Sequence, residues 1–212
     1  MTGSKSEPPT ISIDIERSQF TTTSHATPPT LNSSSVTLLP VVTKLTLILV
    51  TIALKVMSQT VPSPDVPGKI KPPENAQVIL QVHAVGFQIY VCQQTDATYA
   101  WVLKAPDAEL HDQQGSVVGR HYAGPAWKNK DGSEVTGKLV AKSDSPDVDS
   151  IPWLLLTAVG HSGDGVLSRV DSIQRINTKG GLPPKNDCDA SKVNHEMKSA
   201  YTADYYFYAT SK

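Results

Sequence analysis

The stretch Ile151-Pro-Trp-Leu-Leu-Leu-Thr-Ala-Val-Gly160 decides the fold class of this 212-residue chain. Its apolar residues follow one another without alternation and end at a glycine- and aspartate-containing segment, His161-Ser-Gly-Asp-Gly165. A run of this length is typical of a strand buried on both faces and is short for a helix. The next run, 166–178, supplies further apolar residues for burial: Val166, Val170, Ile173 and Ile176. We therefore expect a central strand of the core, paired in a hairpin with the run that follows it.

Similar runs recur along the chain at intervals of roughly ten residues, as in all-β domains. Gly86 is expected to turn the chain within a first hairpin, Ala105-Pro-Asp107 to end the third run, and Asp131-Gly132 to form a tight hairpin turn. Residues 190–198 are expected to form no more than one short helical turn. The runs cover residues 77–84, 87–93, 99–104, 108–112, 117–122, 127–141 and 201–208. About nine to ten short strands predict an all-β fold, an antiparallel β-sandwich or barrel.

The N-terminal part of the chain has a different composition. Residues 1–43 are rich in Ser, Thr and Pro and predict a disordered leader, because they cannot bury enough apolar surface to fold. Residues 44–58 form a hydrophobic signal or anchor segment, whose ten uncharged residues 45–54 are too few for the ~20 that span a bilayer. A proline-rich arm, 61–73, then leads into the β domain, assigned to residues 60–212.

We predict export, either as a secreted protein with a signal peptide or as a type II membrane-anchored protein. The leader is long for a signal peptide, so a natural start further along the chain is a second explanation. Any membrane contact is expected only through this N-terminal segment. A short buried helix is the remaining alternative for residues 44–58.

Charge and cysteine content narrow the function classes. Residues 60–212 carry 15 Lys and Arg against 17 Asp and Glu, a net charge of −2, so a nucleic-acid partner is not expected. The chain has two cysteines, Cys92 and Cys188, and an even pair in an exported chain predicts one disulfide. Two buried free thiols are the alternative for a cytosolic protein. A redox or zinc motif of the C-x-x-C type does not occur.

Six ordered motifs within residues 62–209 carry a family resemblance. They are Phe87-Gln-Ile-Tyr-Val-Cys92, His121-Tyr-Ala-Gly-Pro-Ala-Trp127, Asp131-Gly-Ser133, Ile151-Pro-Trp-Leu-Leu-Leu156, Ile173-Gln-Arg-Ile-Asn-Thr-Lys-Gly-Gly181 and Tyr201-Thr-Ala-Asp-Tyr-Tyr-Phe-Tyr208. With these motifs the chain resembles the DUF3455 proteins, small and usually exported proteins without an established activity. Some of them are labelled malate dehydrogenases. The resemblance implies no catalytic residue, because none is assigned in that family.

The residues argue against a nicotinamide dehydrogenase. Such a site needs G-x-G-x-x-G at a turn from strand to helix, with an acidic residue about twenty positions later. The nearest match, Gly163-Asp-Gly165, has Ser168 in place of the third glycine, and Asp171 follows too early. We therefore predict no cofactor and no malate dehydrogenase activity, which NADH binding and turnover of oxaloacetate would test.

The sequence was compared with the requirements of two other kinds of site, a metal centre and a serine hydrolase site. A metal centre could draw ligands from separate strands, and His121, Asp131 and His161 are the candidates, although no H-x-H or H-E-x-x-H pair is present. A serine hydrolase is disfavoured because Ser162 lacks the G-x-S-x-G context.

Aromatic residues are the remaining candidates for a ligand site. Most are expected to pack in the core, but exposed ones would suit a small molecule or a carbohydrate, and the candidates are Trp127, Tyr206 and Tyr208. We predict a secreted or cell-surface β domain with a binding or surface role and without catalysis. An extracellular enzyme that depends on a metal or on acid-base chemistry is the alternative.

Overall fold

A computed structural model describes residues 61–211, which form eight antiparallel strands and three short 3-10 helices. The predictions for residues 1–43 and 44–58 lie outside these described residues. The strands are β1 (Ala76–Thr95), β2 (Thr98–His111), β3 (Val117–Tyr122), β4 (Ala126–Asn129), β5 (Glu134–Ser143), β6 (Trp153–Ser162), β7 (Ser172–Gly180) and β8 (Glu196–Thr210).

Each strand pairs with the next one along the chain, and β8 returns to pair with β1. This order closes the sheet into an up-and-down barrel, so every strand has two neighbours and none is central. The all-β prediction is confirmed, and the barrel is the correct one of its two alternatives. Eight strands enclose an interior that side chains can fill, or that can hold one small ligand.

The predicted strand count was too high because two expected strand ends are absent. Gly86 lies within β1 and does not turn the chain. A Cβ atom there would come within 2.2 Å of the Asp107 carbonyl oxygen on β2, so this position requires glycine. Pro106 likewise lies inside β2, close to a bulge that shifts the register between Ile89 and Tyr90 of β1.

The predicted hairpins around the central stretch are largely correct. Asp131 and Gly132 connect β4 to β5, and β6 pairs with β7. The expected strand from residue 166 was wrong at its start, because Val166–Arg169 is a 3-10 helix and β7 begins at Ser172. The short helical turn expected near the C-terminus is the 3-10 helix Ala190–Lys192.

Strand β6 is apolar on both faces because it separates two apolar clusters. Leu156 faces the barrel interior, where it packs with Trp127 and Ile173. Leu155 faces outward and packs in a second cluster with Val66, Ile70, Ile176, Tyr206 and Tyr208. The proline-rich arm therefore lies over the outside of the barrel and covers the outer face of β6 and its neighbours.

Hydrogen bonds fix this arm to the sheet. Ile70, fully buried in the 3-10 helix Gly68–Ile70, accepts a hydrogen bond at its carbonyl oxygen from Gln174 Nε2, at 2.7 Å. The Oε1 atom of Gln174 in turn accepts one from the Tyr208 hydroxyl, at 3.0 Å. Gln174 is fully buried, so both ends of its amide are satisfied by the arm and by β8.

The predicted disulfide between Cys92 and Cys188 is present, with 5.4 Å between the two Cα atoms. It joins the end of β1 to the segment that connects β7 to β8. Within residues 61–211, no helix combines the length and the hydrophobicity needed to cross a membrane.

We expect residues 1–56 to be dispensable for folding of the barrel. A chain starting at Met57 keeps the whole arm from residue 61 and every strand, so its thermal midpoint should match that of the full-length protein. Differential scanning calorimetry of the two proteins would measure this. A fall of several degrees on truncation would show that the leader contributes to stability.

Candidate functional site

A cavity of about 550 Å³ lies inside the barrel and opens to solvent beside Leu103 and Leu139. All eight strands contribute to it. Its lining residues are Gln88, Leu103, Lys104, Ala105, Pro106, His121, Gly124, Pro125, Trp127, Gly137, Lys138, Leu139, Leu154, Leu156, Arg175 and Tyr205. The volume lies within the range of small-molecule sites.

The strand register brings three of these side chains together. Arg175 of β7 is paired with Leu154 on one side and with Tyr205 on the other. Residues directly opposite each other on neighbouring strands point to the same face of the sheet. Leu154, Arg175 and Tyr205 therefore form a row across the inner wall of the barrel.

His121 forms the second part of the site. Its ring stacks on Trp127, with 4.4 Å between ring centroids and 6° between planes, and its edge meets Tyr205. His121 Nδ1 lies 2.8 Å from the carbonyl oxygen of Ala126, which can only accept, so Nδ1 carries the proton. Burial lowers the pKa of His121 to about 3. At neutral pH the imidazole is therefore uncharged, with Nε2 as an acceptor.

Several buried polar atoms around Arg175 are unsatisfied. The guanidinium gives two of its five N–H donors to the carbonyl oxygen of Pro152, through Nε at 3.3 Å and Nη2 at 2.8 Å. The Tyr205 side chain lies close to Arg175 and to Tyr201, and Tyr201 lies close to Gln88. Among the described residues, however, the two hydroxyls and Gln88 Nε2 have no partner in hydrogen-bond geometry. Buried polar groups are normally satisfied, so this cluster is an exception that requires an explanation.

Burial determines the ionisation states of the titratable side chains at this site. A general base works best when its pKa lies near the working pH, whereas the pKa of His121 is far below neutrality. Burial also raises the pKa values of Tyr201 and Tyr205, so neither hydroxyl is activated as an acid. What the cavity offers is a fixed positive charge, neutral hydrogen-bonding groups and apolar walls.

The three candidate metal ligands lie in different environments. His121 faces the cavity. Asp131 lies in the β4–β5 turn, where it accepts hydrogen bonds from Ser133 Oγ at 2.6 Å and from the backbone N–H of Val166 at 2.8 Å. His161 Nε2 lies 2.8 Å from the carbonyl oxygen of Val170. In the described part of the chain, no group of three His, Cys, Asp or Glu residues is arranged to hold a metal ion.

The role of Asp131 is explained by the turn it stabilises. The hydroxyl of Ser133 is the main cause of the lowered pKa of Asp131, and the backbone N–H groups of Val166 and Ser133 add to it. These contacts join the β4–β5 turn to the 3-10 helix Val166–Arg169. Gly163 and Gly165 lie in the same region with positive φ, as parts of a loop in an antiparallel barrel. They do not form the strand-to-helix turn of a dinucleotide site.

One of the three predicted aromatic ligand residues reaches the cavity. Trp127 lines it, but the ring is only 1% exposed because His121 covers it. Tyr206 and Tyr208 lie on the outer face of β8, beneath the arm, where they belong to the second apolar cluster. Burial raises the pKa of Tyr208 to about 12, as expected for a structural hydroxyl.

The sequence analysis missed Arg175 and Gln88 as site residues. A signal was present in Ile173-Gln-Arg-Ile176, where two polar residues stand between two isoleucines. Such residues are found buried only when they have partners or a function. The structure separates the two cases, since Gln174 is satisfied on the outer face and Arg175 points into the barrel.

Comparison with known proteins gave one match. No curated protein and no solved structure is significantly similar to this chain. The profile of the family described as "Protein of unknown function (DUF3455)" matches residues 72–209, a range that includes the eight strands except for the last residue of β8, the disulfide and every residue that lines the cavity. The chain is therefore a member of the DUF3455 family.

Proposed function

We propose that this protein is an exported binding protein that holds a small molecule inside its barrel, without catalysing a reaction. The observation that carries the proposal is the convergence of unsatisfied buried polar groups on one cavity, with Gln88 Nε2 and the Tyr205 hydroxyl as the clearest examples. A ligand that hydrogen-bonds to these groups would supply the partners that they lack.

The shape of the site favours an enclosed ligand over a sugar on a flat surface. Carbohydrate platforms expose an aromatic face, whereas the face of Trp127 is covered by His121. The walls of the cavity are instead made of Leu154, Leu156 and Pro106, with Leu103 and Leu139 at the opening. These side chains suit an apolar body that enters the barrel.

The disulfide supports export. Disulfides persist in oxidising compartments, and the Cys92–Cys188 bond connects two segments that are far apart in the sequence. An extracellular or cell-surface location is therefore part of the proposal. No partner macromolecule is needed for the role we propose.

Binding inside the barrel can be tested with N-phenyl-1-naphthylamine, an uncharged fluorescent probe. Titration of the full-length protein is expected to give saturable binding with one site per chain. Leu154→Trp should weaken it by about tenfold or more, because the larger ring fills space between β6 and Arg175.

Val159→Trp provides the matched control. Val159 lies on the same strand, is 59% exposed and does not line the cavity, so a tryptophan there should leave probe binding unchanged. Equal binding by the wild type and both variants would place the probe on the outer surface. That result, or the absence of saturable binding, would contradict the proposal.

A further inference from the structure

We infer that the ligand is an organic acid, with its carboxylate or similar anion held by Arg175 and its apolar body directed toward the opening between Leu103 and Leu139. This inference rests on the proposed function and adds the chemical class of the ligand. It is carried by the charge distribution around the cavity and by the hydrogen-bonding groups at its inner end.

Arg175 is a buried cation that has no anionic partner in the part of the chain that the structure describes. Its residue is 9% exposed, and its hydrogen bonds go to a backbone carbonyl, which neutralises no charge. Among residues 61–211, the ion pairs of the structure all involve other side chains. Buried charges are ordinarily paired, because leaving water is costly for an isolated ion.

The charge of Arg175 acts on uncharged neighbours. Its positive charge acts to lower the pKa values of Tyr90, His121, Tyr201 and Tyr205, but at the three tyrosines burial is the larger effect and the pKa is raised. These side chains therefore lie within reach of the charge of Arg175. None of these four side chains is negatively charged at neutral pH. Arg175 lines the cavity, so an anion that neutralises its charge can approach from there.

Two further hydrogen-bonding groups line the same cavity. Gln88 Nε2 and the hydroxyl of Tyr205 are buried and unsatisfied, and both residues line the cavity with Arg175. A carboxylate accepts up to about four hydrogen bonds, and the planar fork of an arginine matches its two oxygens. A neutral ligand with a single polar atom would leave some of these donors without a partner.

The lining of the cavity has the same sign of charge. Lys104 and Lys138 belong to it, and it contains no Asp or Glu. Lys104 is paired with Glu196, which lies outside the lining, so the uncompensated positive charge is that of Arg175 and of the exposed Lys138. The chain as a whole has a net charge of −1, so this local excess of positive charge is not a general property of its surface. Such an arrangement attracts anions toward the opening.

The apolar rim distinguishes an organic acid from a bare inorganic anion. Leu103 and Leu139 are each 52% exposed at the opening, and together with Leu154 they provide an apolar path to Arg175. Inorganic phosphate would use the charge but not these walls. An acid with an aliphatic or aromatic body would use both.

Two probes with the same apolar body test the inference. 8-Anilino-1-naphthalenesulfonate differs from N-phenyl-1-naphthylamine only by its sulfonate, so their ratio of affinities for the wild-type protein isolates the effect of the negative charge. We expect the sulfonate probe to bind about 10- to 100-fold more tightly, as for hydrogen bonds to a charged group in a buried site. Decanoate should displace it at lower concentrations than decanol, which lacks the negative charge, and inorganic phosphate, which lacks the apolar body, should not displace it.

Substitution of Arg175 locates the anion. Arg175→Gln should remove the preference for the sulfonate probe and leave binding of the neutral probe within about twofold, while Arg175→Lys should keep part of the preference. Arg169→Gln is the matched control, because Arg169 is an exposed arginine outside the cavity lining. It should behave as the wild type.

The outcomes separate this inference from the proposed function. If the wild type binds both probes with equal affinity and Leu154→Trp still weakens binding, the inference of an anionic ligand is wrong. The proposal that the cavity binds a small molecule would then still stand. A preference for the sulfonate that persists in Arg175→Gln would assign the anion to another cation and would also overturn the inference. If Arg175→Gln does not fold, the wild-type ratio and the decanoate, decanol and phosphate competitions still decide. Displacement of the sulfonate probe by inorganic phosphate but not by decanoate would contradict an organic acid as the ligand.

Discussion

Removal of the Cys92–Cys188 disulfide is expected to lower the free energy of unfolding by about 4 kcal/mol. The two cysteines are separated by 96 residues in the sequence, so the bond restricts most of the unfolded β domain. In the chain-entropy description, the effect of a crosslink grows with the length of the loop that it closes. The bond also lies where β1 meets the segment before β8, so its loss weakens the attachment of that segment.

Hydrogen bonds near the disulfide would remain after its removal. The N–H of Cys92 donates to the carbonyl oxygen of His195, and the N–H of Asn194 donates to that of Cys92, both at 2.9 Å. Trp101 Nε1 donates to the carbonyl oxygen of Asn186 at 2.8 Å. These hydrogen bonds should keep the native barrel formed, so the expected result is a less stable protein with the same fold.

Urea unfolding of the wild type and of a double variant, Cys92→Ala with Cys188→Ala, would measure the difference. Alanine is the appropriate replacement because Cys92 is fully buried and a serine would add a buried hydroxyl. Wild-type protein unfolded in a reducing agent should match the double variant, and the reducing agent should not affect the double variant. Equal midpoints for oxidised and reduced wild type would contradict the predicted contribution.

The parts of the fold that were predictable are those with local physical causes. Asp131 and Gly132 form a hairpin turn because both tolerate the backbone of a tight turn, and Gly132 indeed has a φ of 93°. The residues 151–160 contain a strand with two apolar faces, and the structure shows why, since the arm covers the outer one. The arm itself was recognisable from its prolines, but the strands that it covers were not.

The errors arose where a local signal was overridden by tertiary contacts. Gly86 resembles a turn residue in the sequence, yet it is required because β2 approaches β1 too closely for a side chain. Pro106 resembles a strand end, yet β2 continues through it beside the bulge opposite Ile89 and Tyr90. In both cases the deciding partner lies on another strand, which sequence patterns do not reveal.

The site was predictable only in part for the same reason. His121 was selected from the sequence as a candidate metal ligand and Trp127 as a candidate ligand-binding residue, and the structure stacks them. Asp131 was selected with His121 because of its chemistry, but its hydrogen bonds hold a turn. Arg175 was overlooked because alternation does not tell which face of a strand points into a barrel. The direction of the Arg175 side chain follows from the strand register, which pairs Arg175 with Leu154 on one side and Tyr205 on the other.

Acidification is expected to destabilise the protein through His121. Burial is the main cause that lowers the pKa of His121 to about 3, and the charge of Arg175 acts in the same direction, against the effect of the Ala126 hydrogen bond. In the unfolded chain the pKa of histidine is about 6.5. Between these two values the unfolded state binds a proton that the native state does not. The free energy of unfolding therefore falls as the pH decreases from about 6.5 toward 3.

The contribution of this one residue between pH 7.5 and pH 4.5 is about 3 kcal/mol. Urea unfolding at the two pH values would measure it, with His121→Asn as the comparison, since asparagine does not titrate and its amide can still donate to the Ala126 carbonyl oxygen. The variant is expected to be less stable at pH 7.5, because it loses the stack on Trp127, but to lose less stability on acidification.

Each protein loses some free energy of unfolding between pH 7.5 and pH 4.5. The difference between these two losses isolates His121, because the carboxylates and the other histidines are the same in both proteins. His195→Asn is the matched control, because His195 is exposed. This variant should lose as much free energy of unfolding on acidification as the wild type. If the wild type and His121→Asn lose the same free energy of unfolding between pH 7.5 and pH 4.5, His121 titrates near its ordinary pKa. The imidazole would then be accessible to protons at mildly acidic pH, and the neutral acceptor that we place beside Trp127 would be a cation in that range.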